Sequence, residues 1–267
     1  MSEPVKPNGN LATADDVLGA LIAMVNASER IVAFTGAGIS TESGIPDYRG
    51  PGGVWERGTP PQLDDFLNNP ETRREYWERR RVSYPELRAK KPNAGHLALA
   101  EMEWQGVLIG VITQNIDGLH QKAGNAPAHV IELHGTAHKI RCLECGRSWD
   151  AEIIQERLLA GESEPACVVC GGMLRAATIL FGEALPPDAL KRAVEIAQTC
   201  DLMLVIGSSL IVNPAAKLPL IARQAGAKIA IINRTLTPLD TIADLVVSAE
   251  AGPTLSSVAN ALPVPEE

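Results

Sequence analysis

No apolar run in this sequence is long enough to cross a bilayer. The longest, such as Leu202 to Ile206 and Ile229 to Ile232, fall far below the roughly 18 residues that a spanning helix needs. The N-terminus also lacks the charged-then-apolar pattern of a secretion signal, so a cytoplasmic protein without membrane contact is expected. Positive charge is in deficit, with Lys+Arg 24 against Asp+Glu 32 and a net charge of -8. That balance opposes broad binding to a nucleic-acid backbone and favours basic segments such as lysine-bearing protein tails. There is no internal repeat. Cysteine is scarce, with Cys 5 in the whole chain, yet four fall into Cys142-x-x-Cys145 and Cys167-x-x-Cys170. Each pair lets two thiolates of one turn reach a single ion, and two pairs complete the tetrahedral S₄ shell of one closed structural Zn²⁺ site. Thiols used this way suit a reducing compartment. Cys200, alone beside Asp201, reads as a buried thiol.

What is present points to one globular unit, since a chain of 267 residues with 45% apolar content can bury a sizeable core. Short β-rich apolar runs at Ile31–Thr35, Val107–Thr113, His129–Leu133, Leu202–Ile206, Lys228–Ile232 and Leu245–Val247 alternate with helical patterns over 14–27, 94–104, 187–198 and 214–225. The first helix opens on a Thr13-x-x-Asp16 variant of the capping box. Strands apolar on both faces, separated by helices, predict an α/β fold: a Rossmann-like parallel sheet with helices on both faces. Two stretches break the rhythm, one rich in Pro, Arg and aromatics and one holding the cysteines. The expected organisation is a nucleotide-binding domain from 11–49, 93–140 and 176–260. Into it are inserted a helical module at 50–92 and a zinc-ribbon module at 141–175, which together form a small domain. Loose tails are expected at 1–10 and 261–267.

The phosphate-binding candidate is Gly36-Ala37-Gly38-Ile39-Ser40, directly after the first strand, where backbone N–H groups and a following helix end can meet a pyrophosphate. Thr41 stands where the third glycine of a dehydrogenase fingerprint would be, so this turn alone is weak. Further motifs follow in order: Gly44-Ile45-Pro46-Asp47-Tyr48-Arg49-Gly50, Thr113-Gln114-Asn115-Ile116-Asp117-Gly118-Leu119-His120, Glu132-Leu133-His134-Gly135, Phe181-Gly182-Glu183 and Gly207-Ser208-Ser209-Leu210. With the cysteine pairs, this set resembles the sirtuins, NAD-dependent protein-lysine deacylases, from about Ile31 to Gly252.

The resemblance implies that NAD⁺, as co-substrate, meets an acyl-lysine protein or peptide in a cleft between the two domains. It makes His134 the catalytic base, which suits a side chain whose ordinary pKa lies near neutrality. Asn115 and Asp117, expected to face the same cleft, would serve the nicotinamide end with Ile116, and Gln114 a ribose. Gly36, Ala37, Gly38, Ser40, Gly207, Ser208 and Ser209 would hold phosphate and ribose oxygens. Asn233 would take the adenosine ribose, Ala251 the adenine side, and Asp47, Tyr48 and Arg49 a segment that orders over NAD. Ile179, Phe181, Gly182 and Glu183, with Val212 opposite, would pair with an extended substrate peptide by β-augmentation. The implied products are nicotinamide, 2′-O-acyl-ADP-ribose and free lysine, with zinc outside the chemistry. His96, His120, His129 and His138 read as structural histidines.

Within the family, the stretch around Tyr76-Trp77-Glu78-Arg79 and Tyr84-Pro85 is similar to the class typified by a mitochondrial sirtuin with weak deacetylase activity. A Tyr76-x-x-Arg79 pair one helical turn apart could also grip an acidic acyl group bidentately. The alternative inside the family is protein mono-ADP-ribosyltransfer. A zinc-ribbon nucleic-acid module is opposed by the net charge and the few local cations Lys139, Arg141 and Arg147, and a nicotinamide oxidoreductase by the incomplete glycine fingerprint. A monomer is the expectation for assembly.

Overall fold

The computed structural model describes residues 13–47 and 62–263. In chain order these form α1 (Ala14–Asn26), β1 (Ile31–Thr35), a 3₁₀ stretch (Ala37–Ser43), α2 (Leu63–Asn68), α3 (Pro70–Ala89), α4 (Ala94–Trp104), β2 (Leu108–Thr113), α5 (Leu119–Ala123), β3 (Val130–Glu132) and β4 (Gly135–Cys142). There follow β5 (Ser148–Asp150), α6 (Ala151–Leu159), β6 (Leu174–Thr178), α7 (Pro187–Ala197), β7 (Leu202–Ile206), α8 (Leu218–Gln224), β8 (Lys228–Ile232), β9 (Leu245–Val247) and α9 (Ala251–Asn260). Helix α1 starts at the expected cap: Asp16 N donates to the Thr13 hydroxyl and Thr13 N donates to the Asp16 carboxylate.

The six expected apolar runs supply the six strands of a parallel sheet ordered β3-β2-β1-β7-β8-β9. Side chains alternate between its faces, as strand geometry requires. Ile31, Ala33, Leu202 and Leu204 pack with Leu21 of α1, Leu99 of α4 and Leu255 of α9. Val32, Phe34, Met203 and Val205 pack on the opposite face with Ala193 of α7 and Leu218 of α8. Every residue of β1 and β7 is buried, and each such aliphatic side chain contributes about 1.5–3 kcal/mol of burial free energy. The chain leaves β1 for β2 and β3 on one side and later returns as β7, β8 and β9 on the other. The carboxyl ends of β1 and β7 therefore form the crevice where ligands bind in open parallel sheets.

A second, antiparallel sheet ordered β5-β4-β6 covers one end of that crevice. Its core is Ile140, Leu174 and Ala176 packed on Trp77 and Tyr84 of α3 and on Ile154 and Leu158 of α6. It runs from Gly135 to Thr178, wider on both sides than the expected 141–175, because β4 continues straight from the His134 turn. Of the expected helical module, residues 62–89 form α2 and α3. Two further differences have simple causes. The helix expected over 214–225 is split into a 3₁₀ turn (Ala215–Lys217) and α8, because Pro219 has no N–H to donate and is tolerated only in a first turn. The tail expected from 261 does not start there, since Leu262 is only 7% exposed and packs into the main core; the rest of that tail from 264, the tail at 1–10 and residues 50–61 of the helical module lie outside the described residues.

Candidate active site

Three glycines at the crevice interlock so closely that none has room for a side chain. A Cβ on Gly36 would lie 2.7 Å from the Gly207 carbonyl oxygen, one on Gly38 would lie 2.6 Å from Gly207 Cα, and one on Gly207 would lie 2.4 Å from Ile39 N. Gly207 also needs φ +60, which costs a non-glycine residue about 1 kcal/mol or more. The backbone thus forms a cradle open to a ligand's oxygens, with Gly38 N bonded to Gly207 O at 2.8 Å. It opens into a cavity of about 980 Å³ lined by Gly36, Ala37, Gly38, Asp47, Gln114, Asn115, Ile116, His134, Gly207, Ser208, Ser209, Asn233 and Ala251. The composition of the cradle fits a dinucleotide: close backbone at the pyrophosphate position, hydroxyls and amides at the ends of β2, β7 and β8, and the start of α9 beyond. Tyr48 and Arg49 lie outside the described residues.

His134 follows β3 directly. Its Nδ1 lies 2.9 Å from the Gln114 carbonyl oxygen. A carbonyl only accepts, so the ring proton sits on Nδ1 and Nε2 is left as the acceptor. Burial lowers the His134 pKa, with the Gln114 bond opposing in part, so the ring is neutral and able to take a proton. The next residue fixes the turn: Gly135 has φ +69, and a Cβ there would stand 1.9 Å from the Ala177 carbonyl oxygen. His134 O accepts from Ile179 N at 3.0 Å, which joins the turn to the segment after β6.

Asn115 reaches the cavity, with Nδ2 donating to Gly36 O at 3.1 Å and to Ser40 Oγ at 3.2 Å. Asp117 does not. It is 4% exposed, and its carboxylate accepts from Ser40 Oγ at 2.7 Å and from Leu119 N at 3.0 Å. The expectation that Asn115 and Asp117 face one cleft assumed strand alternation, but β2 ends at Thr113 and the chain turns inward at Gly118 (φ +67). Asp117 and Ser40 therefore support the floor from beneath. His96 and His120, both fully buried, complete that layer. His120 bonds Thr35 Oγ1 at 2.9 Å, and desolvation pushes its pKa down to about 3 and that of His96 to about 4. His138 Nε2 bonds Asp117 O at 2.8 Å, and His129 pairs with Glu103 at the surface. Glu132 opens the Glu132-Leu133-His134-Gly135 motif, but the motif gives it no role of its own. Desolvation raises its pKa to about 7, against hydrogen bonds from Gln121 and Thr136.

On the other side of His134 the cavity is walled by Ile179, Phe181, Gly182, Glu183 and Val212, with Tyr76 at its end. Tyr76 OH accepts from Ala176 N at 3.1 Å. Arg79 is not there: it is exposed, and its Nε donates to Glu75 O within its own helix at 3.4 Å. Arg80 lines the cavity instead, bonded to Ala137 O at 2.7 Å and lying 4.7 Å over the Tyr84 ring. The inward face of α3 is centred on Trp77 and Tyr84, and at 3.6 residues per turn Arg80 falls within it while Arg79 falls outside. The Tyr76–Arg79 grip on one carboxylate is therefore not formed; the spacing Tyr76-x-x-x-Arg80-x-x-x-Tyr84 carried the correct face.

Cys142, Cys145, Cys167 and Cys170 converge as expected, their sulfurs all within 4.8 Å of one another. The Cys142–Cys170 and Cys145–Cys167 sulfur separations are 3.5 and 3.8 Å. A tetrahedral shell with Zn–S near 2.3 Å has edges of about 3.8 Å, so the donor set fits one Zn²⁺ with no coordination position left over.

The model of a family described as "Sir2 family" matches residues 36–214. An NAD-dependent protein deacetylase of Rhodopseudomonas palustris is 44% identical over 92% of this chain and 96% of its own length. A solved structure described as "Structural Basis for the Mechanism and Regulation of Sir2 Enzymes" superposes with a TM-score of 0.83 at 40% identity, over 92% of this chain and 98% of that one. Another, "Sir2-p53 peptide-NAD+", gives 0.82 at 38% identity over 91% and 97%.

Proposed function

The chain belongs to the Sir2 family, and from that premise we infer that it is an NAD-dependent protein-lysine deacylase releasing nicotinamide, 2′-O-acyl-ADP-ribose and free lysine. The observation that carries this reading is the single cavity reaching from the glycine cradle, past His134, to Phe181 and Tyr76. A cavity of that reach, with His134 midway along it, supports the reading of His134 as a neutral base between a dinucleotide site and a peptide-sized edge.

When bound, NAD⁺ supplies a ribose carbon that accepts the acyl oxygen as nicotinamide departs, together with a neighbouring diol. The chain's own residues do the rest. Gly36, Gly38 and Gly207 admit the diphosphate to their backbone, while Gln114, Ser208, Ser209 and Asn233 present polar groups for the riboses. Asn115, held from below by Ser40 and Asp117, orients the nicotinamide end. His134 Nε2 takes the diol proton, and the Gln114 carbonyl bonded to Nδ1 keeps the ring in place and shares the charge that results. Ile179 to Glu183 and Val212 offer edges to an extended peptide, whose backbone bonds make recognition tolerant of sequence. The four thiolates hold the small domain and leave zinc no open position for water.

The finer resemblance, to the class typified by a mitochondrial sirtuin with weak deacetylase activity, rests on Tyr76-Trp77-Glu78-Arg79 and Tyr84-Pro85 and extends this proposal to broader acyl tolerance. A monomer in the cytoplasm is part of the same proposal; no helix among the described residues is long and apolar enough to cross a membrane. Mass spectrometry of a peptide series with different lysine acyl groups and NAD tests it. Equal amounts of free-lysine peptide and nicotinamide are expected, and nicotinamide only when an acyl-lysine is present. A gain of ADP-ribose on protein would favour the transferase alternative, and reduction of the nicotinamide would contradict both.

A further inference from the structure

Arg141 and Arg175 stand directly opposite each other in the β4–β6 ladder. Like charges so placed destabilise a sheet, and here one carboxylate lies between them. Glu183 accepts from Arg175 Nη2 at 2.7 and 2.9 Å and from Arg141 Nη2. It also accepts from Leu180 N at 3.2 Å, while Glu183 N donates to Leu180 O at 3.1 Å. Arg175 is 0% exposed, and its Nε and Nη1 have no hydrogen-bond partner among the described residues. Among the ion pairs of the described residues, only that of Glu183 with Arg175 has a fully buried cation, and removing one partner of such a pair leaves a buried charge uncompensated.

We propose that Arg141, Arg175 and Glu183 form a positioning clamp that sets the height and register of the Ile179–Gly182 edge against the acyl-lysine peptide. The clamp closes the turn through Gly182 (φ +85) from behind. The front of the same turn lines the cavity and is tied to the catalytic turn by Ile179 N bonded to His134 O. Arg141 immediately precedes Cys142 in β4, so the edge hangs from the strand that ends in the first of the four cysteines. Glu183 acts through the turn and touches no reacting atom.

The inference rests on the deacylase reading, and the test separates the two. With the full-length zinc-loaded protein and an acetyl-lysine peptide, parent activity checks the reading, while KM values of Glu183→Gln and Arg141→Met check the clamp. Glu183→Gln should raise the peptide KM roughly tenfold, the effect of one charge-assisted hydrogen bond, and leave the NAD KM within about twofold. Amide exchange at Leu180 should speed up in step. Should Glu183→Gln not fold, Arg141→Met decides, because its side chain is 37% exposed; it should raise the peptide KM by about threefold or more. A peptide KM unchanged in Arg141→Met, or a Glu183→Gln enzyme that weakens NAD and peptide equally, overturns the clamp. An inactive parent overturns the deacylase reading instead.

Discussion

Replacing Gly135 by alanine puts the heaviest load on the catalytic turn with the smallest change. At φ +69 an alanine costs about 1 kcal/mol or more. Its Cβ would start 1.9 Å from the Ala177 carbonyl oxygen, whereas carbon and oxygen sit comfortably at about 3.3 Å, so β4 and β6 must part by more than about 1 Å. That movement breaks the bond from Ile179 N to His134 O, worth about 1 kcal/mol. Together the loss is about 3 kcal/mol once displaced packing around Leu133 is included. Because a misplacement of about 1 Å costs about 10²-fold in rate, turnover should fall by that factor. Gly19→Ala in α1, where a Cβ meets nothing within 4 Å, should instead stabilise by about 0.5–1 kcal/mol. Urea unfolding of both variants beside the parent measures this. A Gly135→Ala midpoint within about 0.5 kcal/mol of the parent would refute the steric reasoning.

Cys142→Ser should unfold or aggregate the small domain, because an incomplete S₄ shell forfeits metal-linked folding energy; a stable, zinc-free, active variant contradicts the structural role. Arg79→Met should leave acetyl- and succinyl-lysine turnover alike, since Arg79 faces solvent, while Arg80→Met should alter acyl-lysine KM; the reverse pattern would restore the Tyr76–Arg79 pair. Stability should depend on pH with two opposed slopes. His96 and His120, held near 4 and 3 against an ordinary 6.5, bind fewer protons folded than unfolded, so stability rises as pH rises toward 6.5. Glu132, raised from 4.5 to about 7, binds more protons folded, so stability falls as pH rises from 4.5 through 7. His120→Gln should flatten the first slope and Glu132→Gln the second, read as urea midpoints from pH 4 to 8. Unchanged slopes in both variants would contradict the burial argument.

The parallel sheet was legible because strands such as Leu202–Ile206 are buried on both faces, which leaves an uninterrupted apolar run in the sequence. The cysteine site was legible because ligand spacing is itself a geometric statement. Placement within a loop was not: Asn115 and Asp117 are two apart, yet with β2 finished at Thr113 nothing in the text says that Asp117 turns under the floor. Nor did motif spacing choose between Arg79 and Arg80. That choice follows from the buried stripe of Trp77 and Tyr84, which a pair seen alone does not contain. The Arg141–Arg175–Glu183 clamp depends on the register of two strands far apart in sequence. No local pattern encodes it.

The most direct measurement is the pair of constants for His134→Ala: the rate of deacylation and the affinity for NAD. Removal of a positioned base from a cradle built by other residues should lower deacylation by at least about 10²-fold while NAD affinity and the unfolding midpoint stay near those of the parent. Full deacylation in the variant would show that His134 is not the base.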